Sequence, residues 1–338
     1  MRFHSHWHAD KFFRVWLAAV TALTLAAVPI RTCAQQNSCT QKSVFINVAD
    51  DQGQPVPGLT AANFHVSAGK QTISVTSAAP APPRRVAILL DHSGSMFDDF
   101  LYRTSESVIT TMLQRSTPDI EFAFVTYAND FRVRKDLTSN HEELIEIVKH
   151  TLSDKSTTWG PSAMLDAAGR GLEMFATPRP GDNVLLVTDG GENMSKATWA
   201  DVERRFAGSD VRLLAAVIKS PSVRGYSAEA AQSGMSAIKK LADVADGEIY
   251  WLGAEYSASR PNQKEIKFPI ALDFHNVAGA VVGILRNMAT TYQLQLSLPA
   301  ELRKPEEWKV EITGSAGGAK FVHFPPKIYP CSAAAKSK

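Results

Sequence analysis

The chain predicts an α/β fold, a doubly wound and mostly parallel sheet, inserted in a small discontinuous β domain. Three observations carry this. Residues 86–90 (Val-Ala-Ile-Leu-Leu) and 184–187 (Val-Leu-Leu-Val) are fully apolar, the pattern of strands buried on both faces of a parallel sheet. Between residues 84 and 290 such runs alternate with helical stretches, the rhythm of βαβ units. The two ends of the chain carry short alternating strands, each set too small to bury a core alone.

Residues 1–34 stand apart. Arg2, Lys11 and Arg14 make a basic start, residues 15–30 are apolar, and Thr32-Cys33-Ala34 offers small residues for cleavage. This reads as a secretory signal peptide whose apolar run is short for a membrane span. His4, His6 and His8 alternate like a metal-binding tract but fall in the segment that is removed. The mature protein is therefore expected to be exported, to a periplasm or the extracellular space, with no transmembrane segment.

Residues 35–83 form the N-terminal part of the β domain. Residues 43–48 alternate, Asp50-Asp51-Gln52-Gly53 marks a turn, and residues 64–67 and 72–75 follow as short strands. Pro80-Ala81-Pro82-Pro83 reads as a stiff linker. The α/β domain spans 84–290. Residues 86–90 make its first strand and 99–114 a helix. Residues 120–127 and 131–133 are strands, 142–152 and 162–175 helices, and 184–187 the second fully apolar strand. Residues 199–206, 211–218, 228–245 and 248–252 continue the alternation, with Gly247 placed to end the long helix. Residues 277–290 are the last helix. The C-terminal part of the β domain, 291–338, holds alternating strands at 292–296, 308–312 and 321–324. Joining both ends in one β domain brings Cys39 and Cys331 close. These are the cysteines left after Cys33 departs with the signal, and an oxidising compartment favours their pairing as a disulfide.

The formal charge of +2 is inflated by the signal segment, and removing it leaves about −1. No basic patch or aromatic–basic interleaving suggests nucleic acid.

The candidate site begins where the first apolar strand ends, at Asp91-His92-Ser93-Gly94-Ser95. Ligands of open α/β sheets bind beyond the carboxyl ends of the strands. There one carboxylate and two hydroxyls at alternate positions can converge on a hard cation, with Gly94 easing the turn. Other chemistries fit poorly. An extra residue separates Asp91 from Ser93 compared with aspartic proteases, and no second copy occurs. The esterase elbow, the phosphate-binding loop and His-Glu-x-x-His are absent. Asp98 and Asp99 read as a helix cap and dipole partner. His92 reads as pointing to solvent, Asp166 as a supporting acceptor rather than a metal ligand, and Glu192 as a loop surface charge.

With these residues in place the chain resembles a von Willebrand factor type A domain. The metal-ion-dependent adhesion site of that family has the form Asp-x-Ser-x-Ser, with a threonine and an aspartate from two later loops. Val184-Leu185-Leu186-Val187-Thr188-Asp189-Gly190 is similar to the aspartate-bearing loop. Gly160-Pro161-Ser162-Ala163-Met164-Leu165-Asp166-Ala167 is similar to the threonine-bearing loop, with Ser162 where the family has threonine. Serine keeps the hydroxyl oxygen, and Thr157 and Thr158 are nearby alternatives. The flanks, Val56-Pro57-Gly58-Leu59-Thr60 and Pro326-Lys327-Ile328-Tyr329-Pro330, resemble a group of exported bacterial proteins typified by acidobacteria. The resemblance implies a metal site of Asp91, Ser93, Ser95, Ser162 and Asp189 holding Mg²⁺ or Mn²⁺. Asp91 and Asp189 would act through water, and a partner protein would supply an Asp or Glu carboxylate. It implies a binding function, not an enzyme. A metal-assisted hydrolase, or an envelope protein stiffened by the metal, are the alternatives.

Overall fold

A computed structural model describes residues 40–154, 160–218, 228–252, 277–302, 304–313, 321–325 and 327–328. Residues 1–34, expected to be a signal peptide, and Thr157, Thr158, Cys39 and Cys331 lie outside the described residues.

Two sheets organise the chain. In chain order the elements are β1 (Gln41–Ala49), β2 (Phe64–Ala68), β3 (Gln71–Pro80), β4 (Arg85–Asp91), α1 (Asp99–Arg115), β5 (Glu121–Tyr127), β6 (Phe131–Thr138), α2 (His141–Ser153), α3 (Met164–Gly171), β7 (Asn183–Thr188), α4 (Trp199–Ala207), β8 (Arg212–Ile218), α5 (Ala228–Val244), β9 (Glu248–Leu252), α6 (Val277–Ala289), β10 (Thr291–Ser297), β11 (Glu306–Ile312), β12 (Phe321–His323) and β13 (Lys327–Ile328).

Six strands in the order β6-β5-β4-β7-β8-β9 form the central sheet. It is parallel except for β6, which runs antiparallel to β5. Every residue of β4 and β7 is buried, as their unbroken apolar runs require. Alternation then splits β4 between two cores. Val86, Ile88 and Leu90 pack with Val108, Met112, Leu144 and Ile284, from α1, α2 and α6. Ala87 and Leu89 pack with Ala168, Phe206, Ile238 and Leu241, from α3, α4 and α5. Each fully buried Leu or Ile contributes about 1.5–3 kcal/mol. The sheet thus carries helices on both faces, the doubly wound arrangement expected. After β4 the strand order runs outward through β5, then reverses to β7 on the other side. The carboxyl ends of β4 and β7 flank this switch point, where such sheets bind ligands.

The second sheet has seven strands, β12-β1-β10-β3-β2-β11-β13. It is built from both ends of the chain, with β1 antiparallel to β10 from Gln41↔Ser297 to Asn47↔Thr291. Its core gathers Ile46, Val48, Phe64, Val66, Leu294, Leu296 and Trp308. β3 is longer than residues 72–75 and runs into Pro80, taking up the start of the expected linker. Proline is tolerated there as the last residue of the strand, opposite Tyr292.

The sheets are clasped by Arg212, 1% exposed. Its Nε donates to the Asp246 carbonyl (2.8 Å), Nη1 to Asn287 Oδ1 (3.0 Å) and Thr291 Oγ1 (2.6 Å), and Nη2 to Asn47 Oδ1 (3.1 Å). Asp246 Oδ2 in turn accepts from the Phe45 amide at 2.8 Å. A buried guanidinium is tolerable only with its donors satisfied in this way.

Candidate metal centre

The end of β4 and its following turn place three of the predicted oxygens together. Asp91 and Ser93 are 1% and 2% exposed, and Ser95 is half-buried. Asp91 Oδ1 accepts from the Ser93 amide at 2.9 Å, which folds the turn back on the carboxylate. Ser93 Oγ and Ser95 Oγ lie 3.1 Å apart. Asp98 caps α1 by accepting from the Phe100 and Leu101 amides, as its position predicts. Gly94 does not adopt the left-handed region, and a Cβ there would meet nothing nearer than Gly160 O at 3.9 Å. Its amide instead donates to Gly160 O at 2.9 Å, tying the first loop to the second.

The second loop brings in Ser162, 2% exposed, whose Oγ donates to Asp91 Oδ2 at 3.3 Å. The third loop follows β7. Asp189 is half-buried, and its Oδ1 accepts from the Gly191 amide at 3.0 Å. Gly190 takes φ +93, a region open to glycine and strained for other residues.

Several residues outside the expected ligand set shape this centre. Thr188 Oγ1 donates to Asp91 Oδ2 at 2.7 Å and accepts from the Gly190 amide at 2.9 Å. Tyr127 OH reaches the same Asp91 oxygen at 3.4 Å. Asn193 Oδ1 accepts from the Ser162 amide at 2.9 Å, while the Asn193 and Met194 amides both donate to Ser162 O at 3.1 Å. Glu192 is not the loose surface charge expected. Its carboxylate accepts from the Leu165, Met194 and Ser195 amides and from Ser195 Oγ, so it staples the third loop to the start of α3. Asp166 does similar work from α3, accepting from the Lys196 and Ala197 amides. His92 also departs from expectation. It is 5% exposed because its amide pairs with Tyr127 O and draws it into the sheet end.

Burial pushes the Asp91 carboxyl up to about 7, and the neighbouring Asp189 adds to the shift. The other groups acting on it are neutral hydroxyls and an amide. Two carboxylates and three hydroxyls brought together by three adjoining loops fit a hard divalent cation, which would neutralise the acids and accept the hydroxyl oxygens. Among the described residues no cluster of three or more His, Cys, Asp and Glu gathers to hold a metal. A centre here would rely on hydroxyl donors.

The family model of the von Willebrand factor type A domain matches residues 86–254, half of the chain, and the chain belongs to that family. Solved structures of similar fold include a von Willebrand factor type A protein from Catenulispora acidiphila, 14% identical with TM-score 0.42, covering 87% of this chain and 74% of its own. BatB from Bacteroides thetaiotaomicron is 15% identical with TM-score 0.41, covering 52% of this chain and 92% of its own. Proximal thread matrix protein 1 from the mussel byssus, with a zinc-occupied metal-ion-dependent adhesion site, is 16% identical with TM-score 0.42, covering 64% and 48%. At these identities the likeness concerns fold alone. No curated protein matches the chain. Among the described residues no helix is long and apolar enough to cross a membrane.

Proposed function

We propose that the chain is an exported, metal-dependent protein-binding module. Ser93, Ser95 and Ser162 would hold Mg²⁺ or Mn²⁺ directly, and Asp91 and Asp189 would support it through water. When bound, the cation supplies a coordination position for an Asp or Glu carboxylate of a partner protein. The observation that carries this reading is the convergence of the three loops on Asp91, with Ser162 Oγ at 3.3 Å and the Ser93–Ser95 hydroxyl pair alongside.

Two features support binding over hydrolysis. Glu192, the acid that follows Asp189 closely in sequence and could act as a base, already accepts four hydrogen bonds. The loops and the first turn of α1 also expose Phe97, Phe100 and Met194, 52%, 47% and 47% accessible. Large apolar side chains held in water beside a polar centre suit a protein interface.

Isothermal titration with Mg²⁺ tests the reading. Asp91→Ala and Ser93→Ala are expected to lower affinity at least tenfold, and equal affinity in all three proteins would remove the metal. Ser162→Ala is expected to weaken binding more than Thr157→Ala or Thr158→Ala.

A further inference from the structure

A cleft of about 320 Å³ opens beside the candidate centre, a size suited to a small ligand or a few side chains. Its wall starts at Ala163, directly after Ser162, and includes Tyr127, whose hydroxyl reaches Asp91. Consecutive Cα atoms are about 3.8 Å apart, so the cleft wall begins one residue from Ser162.

The charges in the cleft are unequally committed. Asp130 pairs with Arg132 at 2.6 Å. Asp166 accepts two backbone amides. Asp201 accepts from Arg204 at 2.8 Å and caps α4 with Thr198. Arg205 pairs with Glu173 at 2.9 Å. Arg170 and Lys196 are exposed, and among the described residues neither forms an ion pair with a carboxylate. The Arg170 guanidinium carbon lies 4.2 Å from the centroid of the Phe131 ring, a cation–π contact that restrains the side chain without using its N–H donors. Every carboxylate of the cleft is thus engaged within the protein, and two cations are held ready for an anion from outside.

We infer that this cleft receives a second carboxylate of the same partner segment, so that the module recognises a peptide with two acidic residues a few positions apart. The first completes the metal and the second pairs with Arg170 and Lys196. This rests on the binding function proposed above and adds a selectivity that the metal alone lacks. A guanidinium already oriented by a ring loses little freedom on pairing.

The probes are synthetic glycine peptides carrying either one glutamate or two glutamates separated by one, two or three glycines. They are titrated into the full chain in Mg²⁺ and in chelator. At the best spacing the second glutamate is expected to raise affinity about 5- to 10-fold, the scale of one charge-assisted contact. The double variant Arg170→Gln, Lys196→Gln should abolish that gain while leaving Mg²⁺ affinity and the one-glutamate peptide unchanged. With Arg170→Glu, Lys196→Glu, a peptide whose second acid is replaced by lysine should recover the gain. No gain at any spacing, or a gain that survives the double variant, would overturn the cleft assignment. Failure of the metal reading would show separately, as one-glutamate binding that ignores chelator. Inorganic phosphate is the final arm. If it cancels the gain at concentrations similar to the peptide's, the cleft is a general anion site and the peptide assignment falls.

Discussion

Asp91 is surrounded by hydroxyls, and Thr188 is the nearest, donating at 2.7 Å while holding the Gly190 amide. Replacing Thr188 by valine keeps the shape but removes the shortest hydrogen bond to Asp91 Oδ2 and strands the buried Gly190 amide. The expected cost is about 1–3 kcal/mol in urea unfolding, with several-fold weaker Mg²⁺ binding, whereas Thr188→Ser should stay close to wild type in both. Wild-type behaviour of the valine variant would show that Thr188 does not organise the centre. The difference between Thr188 and Asp91 also marks what was legible. Asp91, Ser93, Ser95, Ser162 and Asp189 stand in short local patterns at strand ends, and patterns of that kind can be read in one dimension. Thr188, Asn193 and Glu192 act across loops, from 27 to 97 residues away in sequence. Nothing local distinguishes Glu192 from an ordinary loop acid until α3 is seen beside it.

At the level of elements, long periodic segments were readable and their ends less so. The helix expected at 228–245 is α5, ending at Val244, but Gly247 does not end it by taking a left-handed conformation. Asp246 takes that conformation, at φ +51, and the Gly247 amide closes back on Ala242 O at 2.7 Å. Gly247 is needed for space, since a Cβ there would lie 1.7 Å from Leu213 O. That demand comes from a neighbouring strand and is invisible locally. Gly234 on α5 meets the same kind of limit against the loop after β7. A Cβ would fall 1.9 Å from Gly190 O and 3.1 Å from the Glu192 amide, both backbone atoms that cannot rotate away. Gly234→Ala is therefore expected to displace the loop after β7, lowering stability by about 1–3 kcal/mol and weakening Mg²⁺ binding together with it. Gly208→Ala is the control, because its nearest neighbour would be Arg204 O at 3.8 Å, and it should change neither quantity measurably. Equal behaviour of the two variants would show that α5 yields to the loop.

Across the whole molecule, the union of the two chain ends in one sheet could be argued from the small size of each end. The Arg212 clasp that fastens this sheet to the other could not, because a lone arginine before an apolar strand looks like a surface residue. The clasp carries a titrating group. Burial pushes the Asp246 carboxyl from an ordinary 3.8 up to about 6, against the opposing pull of Lys42, the Phe45 amide and Arg212. An acid whose folded value is raised binds its proton more tightly in the native state. Its contribution to stability is full below about pH 4 and is lost as pH rises through about 6. Asp246 keeps part of its surface exposed, so the expected loss is on the order of 1–2 kcal/mol, below the full value of the shift. Asp246→Asn isolates it, since asparagine tolerates the positive φ and can still accept from the Phe45 amide. Urea unfolding of both proteins between about pH 4 and pH 8 cancels the titration of all other groups. Wild type should lose about 1–2 kcal/mol relative to the variant across that window, with the change centred between 4 and 6. Parallel curves would mean that the carboxylate is no costlier inside the clasp than in the unfolded chain. The junction between the sheets would then have to owe its strength to the neutral partners of Arg212: Asn47, Asn287 and Thr291.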